Sequence, residues 1–168
     1  MPCPSPVDTY IEEIVQQATI DLFSHYAVEI GPNSDLCAIL PNVALCGVIG
    51  FTGPDIRGSL MLACSSEPLK LVGGEGLTTM RDWLAELTNQ LLGRVKNRLV
   101  AMGVDFYAST PVVLGGGRIA PINSQPLGHL FTADGGVVSV WFDTELRAGL
   151  ELVPTTNAVL REGSTLLF

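Results

Sequence analysis

From Thr78 to Met102 the chain runs without a proline and with a single glycine, Gly93, and its apolar residues recur every three or four positions. A segment this long and regular predicts one helix around which the rest of the fold must be arranged. Thr78 or Thr79 is placed to cap its start, and Gly103 to stop it. With Asp82 at zero and about 100° per residue, Asp82, Glu86, Asn89, Gly93 and Lys96 fall within roughly 40° of one line. Leu84, Leu87, Leu91, Val95 and Met102 gather opposite and mark the side expected to face the core.

The remaining pattern is that of short elements separated by turns. Asp8 or Thr9 is a candidate cap for a first helix reaching about Tyr26, with Ile11, Ile14, Val15, Ala18, Leu22 and Phe23 at helical spacing. Val43 to Phe51 and Ile56 to Cys64 read as a hairpin around Thr52-Gly53-Pro54-Asp55. Glu67 to Val72 reads as a short helix, followed by a break at Gly73-Gly74-Glu75-Gly76. Pro111–Leu114, Gly128–Thr132, Val137–Asp143 and Gly149–Val153 read as further strands of an antiparallel set. Strands in runs with two long helices predict an α+β domain whose helices cover a mostly antiparallel sheet. At 168 residues the expectation is one domain over residues 1–168, with residues 1–7 as a flexible arm.

Composition removes several functions. Nine Lys and Arg against 17 Asp and Glu give a net charge of −8, which opposes attraction to a phosphate backbone, so no nucleic-acid partner is expected. The apolar stretch Val43–Phe51 is far shorter than the roughly 20 residues of a membrane span. Met-Pro-Cys-Pro-Ser-Pro has neither the basic start nor the apolar run of a signal peptide, so a cytoplasmic location away from membranes is expected. Cys3, Cys37, Cys46 and Cys64 lack metal-ligand spacing, and the last three sit in apolar contexts that predict reduced, covered thiols. His25 and His129 are too far apart for a local metal site. No bound metal is expected. Gly73–Gly76 and Gly115–Arg118 lack the endings of a phosphate-binding loop and read as turns.

Residues three apart on a helix have Cβ atoms about 5–6 Å apart, so Glu86 and Asn89 can address one small target. The carboxylate offers acceptors to a cation, and the amide offers a donor and an acceptor that can orient a water. Such a pair also occurs on many solvated helices, so spacing alone does not make it a site. Gly93, one turn further on, costs about 1 kcal/mol relative to alanine. Either a partner approaches there, or the glycine packs against another element of its own fold. Trp83 flanks the stripe as an anchor for a partner or as core or dimer packing.

The segment Asp82-Trp-Leu-Ala-Glu86-Leu-Thr-Asn89-Gln-Leu-Leu-Gly93-Arg-Val-Lys96 resembles the active-site helix of the CheX, CheC and FliY family of chemotaxis phosphatases, whose hallmark is ExxN. Gly47-Val-Ile-Gly-Phe and Gly58-Ser-Leu-Met-Leu resemble the family's glycine-containing hairpin. The chain has one such helix, as CheX-like members do; Glu13-Ile-Val-Gln16 carries Gln where the motif needs Asn. The resemblance implies an aspartyl-phosphate phosphatase acting on a phosphorylated CheY-like receiver domain. Asn89 would position the attacking water, Glu86 would pair with a receiver lysine, and Asp82, Gly93 and Lys96 would meet the partner. It also implies a homodimer and a Mg2+ held by the receiver, with no cofactor on this chain. The alternatives are a non-catalytic interaction module, like the middle domain of flagellar switch proteins, and a domain that senses phosphorylation without hydrolysis.

Overall fold

The computed structural model describes residues 6–33, 45–74, 76–116 and 128–152. Its elements in order are α1 (Pro6–His25), β1 (Ile30–Asn33), β2 (Leu45–Thr52), β3 (Ile56–Cys64), α2 (Ser66–Gly73), α3 (Leu77–Val100), β4 (Tyr107–Ala108), β5 (Val112–Gly115), β6 (Gly128–Ala133) and β7 (Gly136–Leu146). The strands form one seven-stranded sheet in the order β1-β6-β7-β3-β2-β4, with β5 also paired to β2. Every pairing is antiparallel. This is the α+β architecture expected, with two long helices and one short one.

Period-two alternation divides the sheet. Leu45, Ile49 and Phe51 of β2, Leu60, Leu62 and Cys64 of β3, and Val138 and Val140 of β7 are buried in one cluster with residues of α1 and α3. All six apolar positions expected to face inward on α1 do so, and Leu84, Leu87, Leu91 and Val95 of α3 are likewise fully buried. Each buried leucine contributes about 2 kcal/mol in removed apolar surface. Cys46 and Ala63 are buried on the opposite face beside Val48, Met61 and Trp141.

Both long helices close with the same backbone device. At the end of α3, Gly103 (φ 83°) lets its N–H reach the Val100 carbonyl at 3.0 Å and the Val104 N–H reach Leu99 at 3.0 Å. At the end of α1, Ala27 adopts φ 58°, its N–H bonds to Ser24 at 3.0 Å, and the Val28 N–H bonds to Phe23 at 3.0 Å. The Val28–Phe23 and Val104–Leu99 pairs are buried, which adds an apolar clasp to each closure.

Several boundaries differ from expectation. α1 begins at Pro6, so Pro6 and Val7 belong to the helix rather than to a flexible arm, and Asp8 and Thr9 lie inside its first turn. Proline loses nothing at a helix start, where its missing N–H would lack a partner anyway. α3 begins at Leu77 after Gly76, with no side-chain cap, which moves Thr78 and Thr79 into the helix. Residues 149–152 are not a strand: Arg147 to Leu150 form a turn closed at 3.1 Å, with Gly149 at φ 76°. Arg147 is anchored there by its N–H on the Asp55 carbonyl (2.8 Å) and its guanidinium on the Asp55 carboxylate (2.9 Å). β1 and β4 had no counterpart among the expected strands. Cys3, Cys37, Val43, Ala44, Glu75, Gly117, Arg118 and Val153 lie outside the described residues.

Candidate active site

Thr88 fixes the exposed dyad from beneath. It sits between Glu86 and Asn89 in sequence, is fully buried, and donates its hydroxyl to the Leu84 carbonyl at 2.6 Å. That bond satisfies the polar atom that burial would otherwise strand. The side chain rests over Gly47 of β2, where an added Cβ would lie 2.1 Å from the Thr88 Oγ1. A missing side chain on the strand and a short one on the helix let α3 seat closely on the sheet. With Leu84, Leu87 and Thr88 turned inward, Glu86 and Asn89 must face out, and both are exposed.

The two dyad side chains are held differently. The Glu86 Oε1 accepts a bond from the Gln90 Nε2 at 2.8 Å, and the Gln90 Oε1 accepts one from the Tyr26 hydroxyl at 3.0 Å. The Asn89 side chain makes no hydrogen bond to a described residue, which leaves its amide available to an incoming group. An added Cβ on Gly93 would meet nothing within 4 Å, so that glycine does not serve packing against another described element.

Of the five stripe residues, Asp82, Glu86 and Asn89 share one exposed face with the open position at Gly93. Lys96 differs from them. Its ammonium pairs with Asp105 at 3.1 Å and lies 5.6 Å from the ring centroids of both Phe106 and Tyr107, leaving the side chain 15% exposed. It ties the segment entering β4 to the helix. Trp83 packs within its own chain: a Cβ on Gly73 would fall on its indole, and its ring meets Tyr26 edge to face at 5.6 Å.

Sequence reasoning missed Gln90 and Tyr26. Gln90 had a usable signal, being one turn from Glu86 where side chains pair along a helix. Tyr26 had none, since it lies 64 residues from Gln90 and meets it only through the packing of α1 on α3.

Elsewhere the ionisable groups report burial. Burial pushes the Cys46 thiol up to about 11 and raises Cys64 further, so both are inert protonated thiols. Burial also lowers His129, favouring its neutral form. Among the described residues no group of three or more His, Cys, Asp or Glu is placed to hold a metal ion. No helix among them is long and apolar enough to cross a membrane.

Residues 45–127, which span the β2–β3 hairpin and all of α3, match the family model described as Chemotaxis phosphatase CheX. No curated protein sequence matches the chain. Among solved structures, the chemotaxis protein CheX from Vibrio vulnificus is similar at 22% identity and a TM-score of 0.70, covering 80% of this chain and 96% of that one. CheX from Desulfovibrio desulfuricans is similar at 22% identity and a TM-score of 0.67, covering 81% and 99%. A chain of the CheX-CheY-BeF3-Mg2+ complex from Borrelia burgdorferi is similar at 17% identity and a TM-score of 0.62, covering 80% and 97%. At these identities the structural likenesses establish the fold, and the family match lies over the segment that carries the ExxN helix. Over residues 45–127, just under half of its length, the chain is thus similar to the CheX-like chemotaxis phosphatases.

Proposed function

We propose that this protein hydrolyses the aspartyl phosphate of a CheY-like receiver domain, with Glu86 and Asn89 as its working residues. One observation carries the reading. Glu86 and Asn89 stand exposed side by side above a buried Thr88, and the surface one turn further on, at Gly93, is open.

The chemistry asks little covalent work of this chain. A water attacks phosphorus, the bond from phosphorus to the aspartyl oxygen breaks, and the carboxylate leaves as inorganic phosphate forms. Phosphoryl transfer of this kind passes through a loose transition state, where placing the nucleophile in line is most of what a protein can add. The Asn89 amide would accept a hydrogen bond from the water and hold it on that line. Glu86 would pair with a receiver lysine and set how deeply the helix docks, with Asp82 and the gap at Gly93 meeting the partner's surface. The receiver would hold the Mg2+, whose charge stabilises the phosphoryl oxygens. On this reading the protein acts in the cytoplasm as a homodimer, and sedimentation checks the assembly.

The test is phosphate release from phosphorylated receiver domains, comparing the wild type with Asn89→Ala and Glu86→Ala after each variant's melting temperature is measured. Asn89→Ala is expected to lose about 100-fold in turnover with unchanged stability, the size of effect that lost positioning produces. Glu86→Ala is expected chiefly to raise KM. An Asn89→Ala variant as active as the wild type would sink the proposal.

A further inference from the structure

We propose that Tyr26, at the end of α1, is a positioning residue for Glu86 and acts through the side-chain amide of Gln90. This rests on the dyad reading given above and extends it to a helix that carries none of the dyad.

The bonds run in one direction. The Tyr26 hydroxyl donates to the Gln90 Oε1 at 3.0 Å, and the Gln90 Nε2 donates to the Glu86 Oε1 at 2.8 Å. An amide has one acceptor end and one donor end, so a phenol that donates to its oxygen leaves its NH2 directed at the carboxylate. Without that phenol the amide can turn over, and its oxygen would then face the carboxylate with no proton between them. Tyr26 therefore selects the orientation in which Gln90 steadies Glu86. A carboxylate has two oxygens, so the bond from Gln90 still leaves Glu86 an oxygen for a cation on the docking partner.

Tyr26 is itself held from several sides. Its N–H bonds to the Phe23 carbonyl at 3.0 Å in the closing turn of α1. Its ring meets Trp83 edge to face at 5.6 Å and His25 at 5.1 Å. Trp83 in turn fills the space left by the missing side chain of Gly73. Packing thus locks the first member of the series, while the last, Glu86, stands in solvent. An exposed glutamate otherwise samples many rotamers, and each docking event would have to freeze them.

The variant that isolates this effect is Tyr26→Phe, which keeps the ring and its contacts and removes only the hydroxyl. Steady-state turnover of phosphorylated receiver is expected to show KM raised about fivefold, the cost of ordering one long side chain, with kcat changed much less. In a Glu86→Ala background Tyr26→Phe is expected to add nothing. A wild-type KM in Tyr26→Phe, or the same loss with Glu86 already removed, would overturn the inference. A second readout does not depend on catalysis: the side-chain amide resonances of Gln90, assigned by their disappearance in Gln90→Ala. They are expected to shift in both Tyr26→Phe and Glu86→Ala. If they stay in place, the inference fails whatever the phosphatase result; if they move while wild type releases no phosphate from any receiver, the network stands and the catalytic reading falls.

Discussion

Gly47 and Gly93 lie on opposite sides of the same helix, and each marks a place where a side chain is missing. Gly47 belongs to β2 beneath α3, where an added Cβ would strike the Thr88 hydroxyl at 2.1 Å. Gly93 belongs to α3 itself, on the outward side, where an added Cβ would meet nothing within 4 Å. One absence lets the helix seat on its sheet, and the other keeps its outer surface low. The first is a requirement of folding. The second brings folding no benefit, since alanine would favour the helix by about 1 kcal/mol, and it is explained if another molecule needs that space.

The comparison can be broken most directly at Gly47. Gly47→Val is expected to cost about 3 kcal/mol through overpacking, read as a lowered melting temperature, and to reduce phosphatase activity with it because the whole dyad helix is displaced. Adding Thr88→Ala should return part of that stability by making room. At Gly93 the two readouts are expected to separate. Gly93→Ala should raise stability by about 1 kcal/mol while lowering turnover of the phosphorylated receiver about tenfold, or about 1.4 kcal/mol. An alanine that left both rates and affinity unchanged would mean that no partner closes over this position. The smallest effect concerns the converse case, a position where glycine would fit better than the residue present. Ala27 holds φ 58° with its side chain exposed, so Ala27→Gly should stabilise the fold by roughly 0.5 kcal/mol, the strain relieved less the added freedom of the unfolded chain. Chemical denaturation measures it.

How much of this was legible beforehand depended on the range of the interactions involved. The inward faces of α1 and of α3 as far as Val95, the hairpin around Gly53-Pro54 and the closure at Gly103 follow from local periodicity and turn chemistry and were read correctly, whereas Met102 falls past the end of α3 and is only half-buried. The outward placement of Glu86 and Asn89 follows from the same periodicity. What was misread or missed depends on distant partners. β1 contains Pro32 and resembles a turn, yet among the described residues it pairs with β6 alone, at the edge of the sheet, where a proline is tolerated. Gly149 to Val153 read as a strand, but over its described residues, 149–152, the anchoring of Arg147 on Asp55 turns the chain instead. The contacts of the Lys96 ammonium with Asp105 and the Tyr107 ring could not be foreseen from its place on the stripe, because they depend on the return of the chain toward β4. Tyr26 escaped notice for the same reason.

The interleaving of Glu86, Thr88 and Asn89 also bears on how such a helix can change over evolutionary time. Inward and outward roles alternate within four consecutive positions, and each residue added to a helix rotates everything beyond it by about 100°. Substitutions along α3 can therefore be absorbed one at a time, whereas a single codon deleted between Leu84 and Asn89 would carry the asparagine into the inward place of Thr88 and bring Gln90 into its own. Descent should accordingly preserve the length of this stretch more strictly than the identity of most residues in it, with tolerated insertions confined to the loops at either end.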